Sequence, residues 1–202
     1  MSESTTQEFS LDALRSGDRA EFARLVDAYS APIYRLGLKM LGNPQDAEDV
    51  LQNTFLNALT HLKDFEGRSS LSTWLYRIAS NEALMLLRRK KSVFNLDDFE
   101  SASEDETQLP EVFVDWSSLP EDKLLSNESL AALSAAVTRL PEALRMVFIL
   151  RDVEGLSIRE TANVLSLTET NVKTRLLRAR MFLREQLSEH YRERLTREET
   201  HE

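Results

Sequence analysis

Residues 156–180 read LSIRETANVLSLTETNVKTRLLRAR. Ser157-x-x-Glu160 matches the pattern in which a hydroxyl and a carboxylate cap each other's backbone amides, so a short helix is expected over Ile158–Leu165. Thr168 supplies a cap for the last and longest helix. Two helices joined by a turn of about three or four residues form a helix-turn-helix pattern. At about 100° per residue, Val172, Leu176, Ala179, Leu183 and Leu187 fall within a stripe roughly 80° wide, which is expected to pack on the preceding helices.

The opposite face carries Thr170, Thr174, Leu177, Arg178 and Met181, flanked by Lys173, Arg180 and Arg184 on one edge and Arg175 on the other. Long cations reach phosphates or guanine edges, short hydroxyls allow close approach, and apolar tips touch thymine methyls. Pairing of the arginines with Glu169 or Glu185 on a solvated helix would explain the charge. It would not explain a leucine and a methionine in the centre of the outward face. Nucleic-acid contact is therefore expected. Upstream, Asn127 to Leu140 is a helix stopped by Pro141. Pro141-Glu142 begins another, with Leu144, Val147, Phe148 and Leu150 buried and Gly155 as its stop.

This basic helix belongs to a chain of 202 residues whose formal charge is −9. The excess lies in one place. Between Ser92 and Ser126 there are ten acids and one base, leaving 24 bases and 24 acids in balance elsewhere. With Pro110, Pro120, many serines and no sustained helical period, this segment is expected to link two helical blocks. A solvated spacer is one account of it. Phe94, Phe99, Val112, Phe113, Val114 and Trp116 favour partial docking.

In the first block, Ser10 is a candidate cap and Gly17-Asp18 a turn. Phe22, Leu25, Val26, Tyr29 and Ile33 then form an apolar helical stripe. Gly42-Asn43 breaks that helix and Pro44 opens the next. Its apolar side is Ala47, Val50, Leu51, Phe55 and Leu59, with Asp46, Asp49, Gln52 and Asn53 on a polar flank. Gly67 and the neighbouring serines make a loop, after which Ser72 is a candidate cap of a helix running through Leu87. Trp74, Leu75, Ile78, Ala79 and Leu86 suit its core face. Arg88-Arg89-Lys90-Lys91 ends it, complementing the helix dipole or anchoring a nucleic-acid backbone.

Leu, Ala, Arg and Glu dominate the composition, with five Gly and five Pro, which points to an all-α fold. There is no cysteine, and His61, His190 and His201 are far apart in sequence, so neither disulfides nor a metal centre is expected. No cofactor is called for. MSESTTQEF lacks the pattern of a signal peptide, and no apolar run approaches the roughly 20 residues that span a bilayer. A soluble, cytoplasmic protein is expected.

NPQDAEDVLQNTFLNAL, FEGRSSLSTWLYRIASNEALMLLRRKK and LPEALRMVFILRDVEGLSIRETANVLSLTETNVKTRLLRARMFL occur in this order across most of residues 9–187. Together they resemble bacterial sigma factors of the extracytoplasmic-function group. The resemblance implies a region-2-type helical bundle at residues 9–92, an acidic linker at 93–126, a region-4-type helix-turn-helix domain at 127–190 and a charged tail at 191–202. It further implies a stress-response initiation factor that binds core RNA polymerase, at its clamp helices and flap, and directs it to promoter DNA, helping to melt the −10 element.

By position, Asp46, Asp49, Gln52 and Asn53 match the flank that docks on the clamp helices. The loop Phe65, Gly67, Arg68, Ser69, Ser70 and Leu71, together with Asn81, matches the pocket for a flipped −10 base. Unstacking a base costs a few kcal/mol, which a fitted polar pocket must offset. Tyr76, Arg77, Arg88 and Arg89 lie beside that site, and Trp74 is expected to pack in the core. Thr170, Lys173, Thr174, Arg175, Leu177, Arg178 and Arg180 match the −35-reading helix, with Lys173 and Leu177 where the family commonly has Arg and an aromatic. The linker would thread toward the polymerase active-site channel, its acids mimicking a nucleic-acid backbone. An anti-sigma factor, often membrane-anchored, is the further partner implied.

A two-domain regulator that recruits polymerase from outside would explain the C-terminal half. It leaves the Asp49/Gln52 flank and the Phe65 loop without a task. An enzyme has no support: there is no Gly-rich phosphate loop, metal-ligand cluster or nucleophile–base pair.

Overall fold

A computed structural model describes the backbone of residues 9–94 and 127–199, and the side chains of residues 9–90 and 131–188. Of the acidic linker expected over 93–126, residues 93 and 94 continue the fourth helix, and 95–126, with the docking proposed for the aromatic residues there, lie outside the described residues. Among those described, every regular element is helical, and no helix is long and apolar enough to cross a membrane. The chain forms two compact units, one of residues 1–86 with 163–166 and the other of residues 87–162 with 167–202.

The first unit begins with α1 (Leu11–Arg15), where Ser10 Oγ accepts from Ala13 N–H. Gly17, at φ +81°, turns the chain, and Asp18 caps α2 (Arg19–Leu41) by accepting from the amides of Ala20 and Glu21. Leu25, Ile33, Leu36 and Met40 are fully buried along α2. Each contributes about 1.5–3 kcal/mol by leaving water. Gly42, at φ +68°, closes α2, and Asn43 Oδ1 caps α3 (Pro44–His61) by accepting from Asp46 N–H. A Cβ on Gly37 would stand 3.1 Å from Ala47 Cα, so the missing side chain lets α2 and α3 approach closely.

On α3 the buried set is Ala47, Val50, Thr54, Phe55 and Ala58. Leu59, expected inward, is 55% exposed. Thr54 and Ala58 lie about 20° either side of Ala47, whereas Leu59 lies about 120° away and so leaves the core face. Thr54 reaches burial without cost because its hydroxyl donates to Val50 O at 2.6 Å.

A 3-10 turn (Leu62–Asp64) leads to the loop before α4 (Leu71–Phe94). The cap of α4 is Ser70 rather than Ser72: Ser70 Oγ accepts from Thr73 N–H at 3.1 Å. The Ser72 hydroxyl is occupied with Tyr29, whose phenol pKa is raised by burial and lowered less by this bond. The helix also continues past Leu87, so the basic cluster lies within its last turns. Its core face is Thr73, Leu75, Tyr76, Ala79, Ser80 and Ala83, while Trp74, Ile78 and Leu86 are only half-buried.

The C-terminal part of the chain contains α5 (Asn127–Arg139), α6 (Glu142–Phe148), α7 (Ile158–Leu165) and α8 (Glu169–Glu199). The guanidinium of Arg145 donates to the carbonyls of Thr138 and, at 2.8 Å, Leu140, closing the C-terminus of α5. Burial lowers its pKa, against the pull of Glu142. Met146, Val147, Phe148, Ile149 and Leu150 are all buried, so α6 is the central helix, while Leu144 is half-buried. A π-helical turn (Ile149–Val153) follows, with Glu154 N–H donating to Ile149 O at 2.9 Å. Gly155, at φ +76°, ends it.

Both halves of the expected capping box form on α7. Ser157 N–H donates to Glu160 Oε2 at 2.8 Å, and Glu160 N–H to Ser157 Oγ at 3.1 Å. Ser166, at φ +55°, lies in the turn, and Thr168 Oγ1 accepts from Asn171 N–H to start α8. Val172, Leu176, Ala179, Leu183 and Leu187 are buried, as the 3.6-residue period requires. The tail continues α8 to Glu199.

Candidate nucleic-acid interface

The loop from Phe65 to Leu71 is anchored at its first residue. Phe65 is buried, its ring 4.9 Å from that of Trp74. Its carbonyl accepts from Arg15 Nε at 3.0 Å and from the terminal guanidinium nitrogen at 2.5 Å. From there the chain turns outward. Glu66, Gly67, Arg68 and Ser70 are exposed, Ser69 and Leu71 are half-buried, and Gly67 takes φ +75°. Arg68 pairs with Glu66 in solvent, an ion pair that contributes little to stability. The Ser70 hydroxyl also meets Ser72 Oγ at 2.9 Å and Thr73 Oγ1 at 2.7 Å.

On α4 beside this loop, Arg77, Asn81 and Arg88 are exposed and Trp74 is half-buried. All four fall within an arc of about 60°. This face begins at the loop and ends in cations, with Arg89 and Lys90 also exposed. Tyr76, which the sequence groups with the DNA-facing residues, is instead 7% exposed and belongs to the core.

The flank of α3 is also redrawn. Asp46 is buried at the helix start, Asp49 and Asn53 are half-buried, and Gln52 is exposed. Leu56, 61% exposed, lies within about 40° of both Asp49 and Gln52, and Leu59 continues the same face. Apolar side chains that stand in solvent between polar ones suit a protein partner better than a purely solvated surface. Sequence periodicity misses them: Leu59 is assigned to the core stripe and Leu56 to neither face.

On α8 the outward residues are Thr170, Lys173 and Arg184, exposed, Thr174, Arg175, Leu177 and Arg178, half-buried, and Met181, 50% exposed. The face is mixed cationic, hydroxyl and apolar. Arg180 is engaged elsewhere. Its Nε and a terminal nitrogen donate to the two Asp152 carboxylate oxygens at 2.9 and 2.7 Å, with side chains 29% and 21% exposed. The pairing partner is thus neither Glu169 nor Glu185, and Arg180 ties α8 to the end of the π-helical turn.

The family model for Sigma-70 region 2 matches residues 25–93, and that for Sigma-70, region 4 matches residues 130–183. The ECF RNA polymerase sigma factor SigW of Bacillus subtilis is 36% identical over 174 residues, covering 86% of this chain and 92% of SigW. The chain belongs to the ECF sigma factor family. The ECF RNA polymerase sigma-E factor of Escherichia coli K12 is 33% identical over 184 residues, covering 89% of this chain and 93% of the relative. Among solved structures, CnrH in complex with the cytosolic domain of CnrY superposes with TM-score 0.64 at 25% identity, covering 88% of this chain and 94% of CnrH. RpoE of Bartonella quintana, solved with the anti-sigma factor NepR, shares the fold at TM-score 0.61 and 22% identity, covering 83% and 97%. As an ECF sigma factor, the chain is a transcription initiation factor that directs RNA polymerase to promoters.

Proposed function

We propose that this sigma factor reads its promoters through two separate surfaces and docks on polymerase through a third. The −10 element meets the Phe65–Leu71 loop and the α4 face of Arg77, Asn81, Arg88 and Arg89. A base taken out of the stack is received by the exposed loop, where Ser69, Ser70 and Asn81 offer hydrogen bonds and the Phe65–Trp74 pair provides a rigid floor. The cations of α4 hold the adjoining phosphates. The −35 element meets the outward face of α8, with Lys173, Arg175 and Arg178 as the long donors, Thr170 and Thr174 as close-approach contacts, and Leu177 with Met181 as apolar contacts.

The polymerase clamp helices take the α3 face of Asp49, Gln52, Asn53, Leu56 and Leu59, and the flap meets the helix-turn-helix domain. The chain acts in the cytoplasm, where polymerase works. An anti-sigma factor is the further partner that family membership suggests. CnrH, the 25%-identical relative, is likewise solved bound to another protein's cytosolic domain.

The observation that carries this reading is the outward face of α8, whose apolar stripe is fully committed to the core while cations, hydroxyls and Leu177 face away. Reconstitution with core polymerase tests it. Open-complex formation is expected on a promoter selected by this holoenzyme. Asn81→Ala is expected to relax selectivity at one −10 position while core binding persists. Failure of the purified chain to bind core polymerase would overturn the proposal.

A further inference from the structure

The short helix α1 lies against both α2 and the 3-10 turn that precedes the −10 loop. Leu14 is buried. Ser10 N–H donates to Glu21 Oε1 at 2.8 Å, and Arg24 donates to the other oxygen of the same carboxylate at 2.6 Å. Arg24 also sits 5.7 Å above the Phe9 ring, which packs 6.0 Å from Tyr29. From this footing Arg15 forks onto the carbonyl of Phe65, and Leu11 Cδ1 stands 4.0 Å from where a Gly67 Cβ would be. At the other end of the loop, Tyr29 holds the Ser72 hydroxyl. The loop is therefore tethered on both sides of its exposed stretch, and by residues that precede the segment matched by the region 2 family model, or lie near its start.

We infer that Arg15 is a positioning residue for promoter recognition: by clamping the Phe65 carbonyl it sets the conformation of the exposed loop that receives the −10 base. The inference rests on the proposed assignment of that loop to the −10 element. The physical ground is the nature of the bond. A guanidinium gives two charge-assisted donors to one carbonyl, a stronger tether than a neutral pair. Between Phe65 and Ser70 the glycine-containing stretch is mostly exposed, so its ends carry most of what restricts it. A pocket must already be in shape when the base arrives, because ordering it during binding costs affinity.

The test compares Arg15→Ala and Arg15→Lys with wild type in the full-length chain. Amide exchange at Phe65, whose N–H donates to Leu62 O at 3.2 Å, reports the tether in the free protein. It is expected to rise on the order of tenfold in Arg15→Ala and less in Arg15→Lys, which keeps the charge with one donor nitrogen. Initiation from a matched −10 promoter is expected to fall by a similar factor. Melting temperature, polymerase binding and dependence on the −35 sequence should stay near wild type. Unchanged loop exchange overturns the inference. So does faster exchange with undiminished −10 discrimination, or a loss that tracks weaker polymerase binding. If the wild type itself does not discriminate −10 sequences, the loop's assignment fails, and the exchange data still judge the tether.

Discussion

Truncating Arg180 to alanine removes two donors from Asp152 and leaves a carboxylate beside the end of α6. Bonds to charged groups contribute about 1.5–3 kcal/mol when well buried, whereas exposed ion pairs contribute about 0.2–1 kcal/mol. This pair has bidentate geometry at 2.9 and 2.7 Å and side chains 29% and 21% exposed, which places it between the limits. A coupling of about 1 kcal/mol is expected. The measurement is a double-mutant cycle of Arg180→Ala, Asp152→Ala and the pair, followed by amide exchange at Ala179 and Leu183. The single variants should be destabilised to a similar degree, and the double variant little more than either. Neither should alter base preference at −35 once compared at equal folded fraction. A coupling near zero refutes the structural role. A change of −35 preference in Arg180→Ala that is absent from Asp152→Ala returns Arg180 to the DNA-reading set.

Arg178→Ala is expected to weaken −35-dependent initiation by about 1–3 kcal/mol with polymerase binding preserved, measured as transcription from matched and substituted −35 promoters. For Gly37, alanine gains roughly 0.5–1 kcal/mol of helix propensity against a 3.1 Å approach to the Ala47 backbone, so the two effects nearly cancel. Gly37→Val adds branching into the same contact and should destabilise the first unit by about 1–3 kcal/mol, read from urea unfolding. Glu21 has its pKa lowered by the Ser10 amide first and by Arg24, against desolvation. Its stabilising effect on the α1 docking is therefore complete above the ordinary carboxylate value of 4.5 and lost as pH falls through the lowered one. The Ser10 amide resonance should titrate with a midpoint below 4.5, and Glu21→Gln should abolish that titration.

Helix limits set by local chemistry were legible from sequence. Ser10, Pro44, the Ser157–Glu160 box and Thr168 each act within one turn of chain, so a pattern of a few residues determines them. The buried stripe of α8 was legible for a related reason: five residues at helical spacing repeat over four turns. What failed depended on contacts between elements. Ser70 and Ser72 are equally competent caps in sequence; in the fold Ser72 lies inside α4 with its hydroxyl engaged by Ser70 and Tyr29. Arg180 is one cation among five until the path of the chain brings Asp152 to it. Tyr76 looks like a polar-tipped surface residue, and small Ala79, Ser80 and Ala83 turn its face inward. Gly37 carries no signal without Ala47 opposite. In the site, the α8 face followed from periodicity, whereas Leu56 and the Arg15 tether of the loop required the fold.

The π-helical turn at Ile149–Val153 holds one residue more than a regular helical turn would span, and so advances all that follows by about 100°. Asp152, which receives Arg180, lies within that turn. The angular phase of α8 is thus set partly by a miscount in its neighbour. Excising any one residue there would restore a uniform screw to α6 and, with no change in α8 itself, cast loose the fastening that fixes its roll.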